Sequence, residues 1–200
     1  LRRGVAAAVI AGIVVSSGIP AYAGTWDIAK GDITVRADDE GTNRVTQGEK
    51  ENVEDTDTVI TGESKEHTVT IDTSGGNVDV TFDDLKIDVS DKGEGDDGPV
   101  HGGKAAVTVK GGHDAAIELD GKNELKSGGY NAGLEKNGHE SEGTLTIKDD
   151  KGKDGSLTAE GGDGGAGIGG GLESTGSNIT IRGGTVEAVG GSSAAGIGDG

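Results

Sequence analysis

Cysteine and methionine are absent from this 200-residue chain, proline occurs twice, and the aromatic residues are Tyr22, Trp26, Phe82 and Tyr130. Without Cys there is no disulfide, no thiolate ligand and no sulfur nucleophile. With so few aromatics the chain has little with which to fill a thick globular core. Basic residues are also scarce, 18 Lys and Arg against 36 Asp and Glu, a formal net charge of −18. So acidic a surface repels nucleic acid and anionic lipid, which excludes them as partners. No Ser-His-Asp constellation or nucleophile elbow is present. His101, His113 and His139 stand in Gly-rich stretches without metal-ligand spacing.

The first residues read LRRGVAAAVIAGIVVSSGIPAYAG: an Arg pair, an apolar run and an A-x-A site at Ala21–Ala23. That is the grammar of a signal peptide cleaved after Ala23. The apolar run from Val5 to Val15 is too short to span a bilayer comfortably. The expectation is a secreted or cell-surface protein with no membrane insertion of the mature chain. The chain starts without Met and stops after a repeat, so the repeats are expected to continue beyond 200.

Glycine supplies 41 residues. In GGDGGAGIGGG, Gly161 to Gly171, three glycines satisfy G-x-G-x-x-G. That fingerprint needs a helix to follow it, and LESTGSNIT is a poor helix former. The stretch also recurs as GGSSAAGIGDG, 190–200, which a nucleotide loop has no reason to do. No nucleotide cofactor is expected; the motif is structural. Around it runs a repeated grammar of short alternating strands and glycine corners. NITI, TVEA and AGIG follow one another after residue 178. GTLTI, GSLTA and AGIG precede them, then AAIEL, NELKS and AGLE, then VDVTF, LKIDVS and AAVTV. Leading strands start near 80, 117, 145 and 179, a solenoid period. The predicted fold is an all-β parallel β-helix with three short strands per turn over 61–200. Residues 24–60 form an atypical first turn or cap. Ile117, Leu119, Leu145, Ile147, Ile168, Ile179, Ile181 and Ile197 are expected to point inward. The longest insertion is 91–103.

TWDIAKGDITV, ELDGKNELKSGGYNAGLEKN and the GGAGIGGG…SNITIRGGTVEAVGG array resemble Gly-rich carbohydrate-binding-domain surface proteins of Gram-positive bacteria. The resemblance implies a polysaccharide-lyase-like, right-handed, single-stranded β-helix. It further implies a polysaccharide partner, possibly acidic, with calcium assistance. It does not imply catalysis.

Candidate metal ligands are Asp83, Asp84, Asp88, Glu118 and Asp120. The repeat alignment sets Asp83 and Asp120 at one corner, where a calcium ion would relieve their repulsion. The other reading is a solvated acidic face. DKGKDG, 150–155, has Gly152 where the third position of a calcium loop needs Asp or Asn, lacks the closing Glu, and reads as a turn. Tyr130, Glu135 and Lys136 are the candidate carbohydrate contacts, Tyr130 as a platform or as packing. Arg182 is expected at the Asp83/Asp120 corner, as an ion-pair partner rather than a base. The expected function is non-catalytic polysaccharide binding. The alternatives are a structural stalk or adhesin segment and, more weakly, a calcium-dependent lyase.

Overall fold

The structure, a computed structural model, describes residues 23–38, 40–90, 103–152 and 154–200. The expected leader, apart from Ala23, and most of the 91–103 insertion lie outside the described residues. The chain is an all-β solenoid whose coils stack in parallel. The first coil carries β1 (Thr25–Asp27), a turn of 3-10 helix at Ile28–Lys30 and β2 (Ile33–Ala37). An antiparallel hairpin, β3 (Asn43–Gln47) and β4 (Lys50–Asp55), folds onto β2. Next come β5 (Val59–Ser64) and β6 (Val69–Asp72), then β7 (Val78–Asp88) and β8 (Val107–Lys110). The later coils each supply three strands. They are β9 (Ala115–Asp120), β10 (Lys122–Lys126) and β11 (Leu134–Glu135); β12 (Leu145–Lys148), β13 (Ser156–Glu160) and β14 (Ile168–Gly169); and β15 (Ile179–Ile181), β16 (Thr185–Val189) and β17 (Ile197–Gly198).

Equivalent strands make three ladders. The first runs β1, β5, the first half of β7, β9, β12 and β15. The second runs from the second half of β7 through β10 and β13 to β16. The third runs β2, β6, β8, β11, β14 and β17. The strand β7 serves two ladders because it turns a corner at Asp84, whose φ is 49°.

Alternation sets the inside. In β12, Leu145 and Ile147 are fully buried while Thr146 and Lys148 face outward. Register then stacks like on like: Val80, Ile117, Ile147 and Ile181 in the first ladder, and Val107, Leu134, Ile168 and Ile197 in the third. A slip of one residue would turn this column out to water, so the register is strongly specified. Ile117, Leu119, Leu145, Ile147 and Ile168 are buried as expected. Ile179 is half-buried, whereas Ile181 and Ile197 are 41% and 48% exposed. Both occupy the inward register, paired with Ile147 and Ile168 of the preceding coil.

The AGIG motif owes its glycines to close stacking. A Cβ at Gly167 would stand 2.5 Å from the Val189 nitrogen and 2.6 Å from the Gly196 oxygen of the next coil. Gly169 has φ 137°, which disfavours any side chain. At the first coil, Asp55 is buried; it accepts from Trp26 Nε1 at 2.6 Å and from the Gly24 nitrogen at 2.9 Å, fastening β4 to β1. Among the described residues no helix is long and apolar enough to cross a membrane.

Candidate functional site

The outer surface of the second ladder carries two rows of alternating charge. In β7 and β10 the inward residues are Leu85, Ile87, Asn123 and Leu125, so Lys86, Asp88, Glu124 and Lys126 are turned out by the pleat. Parallel register lines these up across coils. Lys86 stands beside both Glu63 and Glu124, and Lys126 beside both Asp88 and Glu160. Each row therefore reads acid, lysine, acid at strand spacing. Lys126 Nζ is 2.7 Å from Glu160 Oε2, and this partner raises the Lys126 pKa above the ordinary lysine value. Lys86 Nζ is 3.9 Å from Glu124 Oε1. Asp88 accepts from the Ser90 hydroxyl at 2.5 Å, which lowers its pKa. Between the rows lies a shallow groove of about 230 Å³, lined by Glu63, Lys65, Lys86, Asp88, Glu124 and Lys126.

The carboxylates nominated as metal ligands fall in separate places. Asp83 and Asp120 are register partners, as the repeat alignment expects. Asp84 accepts from the Lys122 nitrogen at 2.9 Å, closing the corner rather than facing its neighbours. Asp88 lies on the second ladder. Glu118, on the first, is 3% exposed, and its Oε1 accepts from the Asp150 and Lys151 nitrogens at 2.7 and 2.6 Å. Among the described residues, no three Asp, Glu or His side chains are placed to share an ion. Asp84, Asp88 and Glu118 each have an oxygen that already accepts an N–H or O–H group of the protein.

The three nominated carbohydrate contacts lie close together but are largely withdrawn from the surface. Tyr130 is half-buried at a turn with φ 70°. Glu135 is 8% exposed, accepts from the Ala132 nitrogen at 3.2 Å, and burial raises its pKa. Lys136 corrects the expectation: its side chain has no exposed surface, so no glycan touches it in this conformation. Its Nζ donates to the Ser141 and Ser177 carbonyls at 2.8 and 3.0 Å, and burial lowers its pKa. Arg182 needs a correction too. Ile181 pairs with Ile147, and Ile147 with Ile117, so Arg182 follows the row of Lys148 and Glu118, two residues short of the Asp83–Asp120 corner.

The lysines that line this groove, Lys65, Lys86 and Lys126, are not among the residues the sequence nominates, because the carboxylates draw the reading. The signal was there: LKIDVS and NELKS each place charge at every second position. The chain matches no family model, no curated protein and no solved structure.

Proposed function

We propose that this solenoid is a non-catalytic polysaccharide-binding protein of the cell surface or secreted space, and that the chain lies along the second ladder. The observation that carries this reading is the pair of acid–lysine–acid rows, Glu63–Lys86–Glu124 and Asp88–Lys126–Glu160, flanking one groove. Such rows alternate hydrogen-bond donors and acceptors at about 4.8 Å, the strand spacing. A polymer of hydroxylated rings offers the same alternation. The rows carry no excess positive charge, so hydroxyls rather than carboxylates are the groups they suit. An acidic polysaccharide would need a divalent ion to bridge its carboxylates to those of the protein, and this is the role calcium has in the reading.

A glycan array in chelator and in millimolar calcium tests the proposal. Neutral polysaccharides are expected to bind in both conditions, and uronate polymers in calcium alone. Absence of binding to every glycan in both conditions overturns the proposal. It would favour the second reading, a structural stalk, for which the same rows act as inter-coil ties between neighbouring strands. Incubation with uronate polymers is expected to release no unsaturated, ultraviolet-absorbing products.

A further inference from the structure

Gly24 stands at two boundaries. In the sequence it is the first residue after the A-x-A site, Ala21–Ala23. In the structure it leads into the first ladder, where its carbonyl accepts from the Val59 nitrogen at 3.0 Å. Its own nitrogen donates to Asp55 Oδ1 at 2.9 Å. Ala23, one residue earlier, is exposed. A Cβ on residue 24 would stand 2.6 Å from both Asp55 Oδ2 and Trp26 Nε1, so glycine is what lets the backbone approach this carboxylate so closely.

Asp55 is 1% exposed. Its three hydrogen-bond donors are neutral: the Gly24 nitrogen, the Asp57 nitrogen at 3.2 Å and Trp26 Nε1 at 2.6 Å. Among the described residues no lysine or arginine forms an ion pair with it. The charges around it are otherwise engaged or of its own sign. Lys50 lies over the Trp26 ring, 5.3 Å from its centroid. Asp57 pairs with Lys151 at 3.2 Å, and Asp79 lines the cleft that adjoins Asp55. A buried carboxylate held by neutral groups alone is costly, and a cation beside it offsets that cost. Cleavage after Ala23 supplies one. Water adds across the Ala23–Gly24 amide, leaving a carboxylate on Ala23 and an ammonium on Gly24, with no net proton released at neutral pH. The ammonium replaces the N–H that already faces Asp55 Oδ1. Its remaining hydrogens reach water, because Gly24 is half-buried.

We propose that Ala23–Gly24 is a processing site and that the amino terminus it creates pairs with Asp55, so that removing the leader fastens the first coil. This rests on the exported half of the reading above and not on its glycan. Asp55 favours the ammonium, so the folded chain keeps this proton to higher pH than the unfolded chain, whose α-amine titrates at about 7.7–8.0. The stabilisation is complete below that range and is lost as pH rises through the folded value.

The full chain, given an initiating Met, is produced in a bacterium with a secretory pathway, and the mass of the exported protein is read. A product beginning at Gly24 is expected. A chain that keeps its leader or begins elsewhere overturns the assignment and leaves the glycan array to decide the polysaccharide reading. Competitive acetylation of the exported protein, followed by mass spectrometry of its first peptide, is expected to place the α-amine about one pH unit or more above its value in denaturant. Asp55→Asn is expected to remove this rise. Should that variant not fold, a chain keeping one alanine before Gly24 serves instead; its amine stands one residue further on and is expected to titrate as in denaturant. The denaturation midpoint of the Gly24 chain is expected to exceed that of the alanine-extended chain at about pH 7 and to approach it by about pH 10. Equal titration of the Gly24 amine in folded and denatured protein overturns the pairing, as does a midpoint difference that does not change with pH.

Discussion

Lys136 is a buried ammonium held by two carbonyls and no carboxylate. Burial pulls its pKa below the ordinary lysine value, so the folded chain releases this proton at a lower pH than the unfolded chain does. Between the folded value and about 10.4 the unfolded state binds more protons, and stability rises with pH. The penalty is complete below the folded value and fades as pH climbs toward the unfolded one. The neutral amine keeps two N–H groups, enough for the Ser141 and Ser177 carbonyls. Lys136→Met removes the titration. Denaturant unfolding is therefore expected to show the wild type gaining stability over this variant as pH rises from neutral toward about 10. A difference independent of pH would mean that burial does not perturb the amine. Two neighbours in β12 make a second test at this scale. Ile147 is fully buried in the inward column, and Thr146 is turned outward. Ile147→Asp is expected to cost about 4 kcal/mol or more in denaturant unfolding, because its charge has no partner inside. Thr146→Asp should cost about 1 kcal/mol or less, because its carboxylate reaches water. Similar losses in the two variants would contradict the observed ladder.

The corner between the first and second ladders depends on Asn123. Its side chain is buried and bridges three coils. Oδ1 accepts from the Leu85 nitrogen at 2.9 Å, and Nδ2 donates to the Asp120 and Ser156 carbonyls at 3.1 and 3.0 Å. Asn123→Ala leaves all three backbone groups without these partners and is expected to lower stability by about 2–4 kcal/mol in denaturant unfolding. Asn123→Asp restores the acceptor but not the donor and should not recover it. The strands themselves were legible, because NITI, GTLTI and AAIEL alternate and AGIG and AGLE recur, and their register follows the repeats. What was not legible depended on the connections. The turn at 149–152 folds back onto Glu118, so a residue placed on an open acidic face is buried. The corner from Ile181 to Thr185 is shorter than its counterpart from Ile117 to Lys122, so counting residues through it does not bring Arg182 to the Asp120 position. Nothing in the alternation of residues 43–55 distinguishes an antiparallel hairpin from further coils.

At the scale of the molecule, a net charge of −18 is carried by a chain of 200 residues. Diffuse repulsion of this kind is relieved by any salt. Because the described carboxylates do not converge on one ion, the thermal midpoint without glycan is expected to rise equally in calcium and in sodium chloride of matched ionic strength. A much larger rise in calcium would reveal a resident site. Calcium is expected to matter once a uronate polymer brings further carboxylates, as in the array. The central claim, that the second ladder holds a polysaccharide, is tested most directly by affinity electrophoresis in gels containing neutral soluble polysaccharides, such as galactomannan, xyloglucan and mixed-linkage glucan. The wild type and a Lys86→Met/Lys126→Met variant, which keeps the apolar stems and removes both row cations, are run side by side. The account predicts retardation of the wild type in at least one gel and its loss in the folded variant. Equal retardation of the two proteins, or free migration of the wild type in every gel, would contradict it.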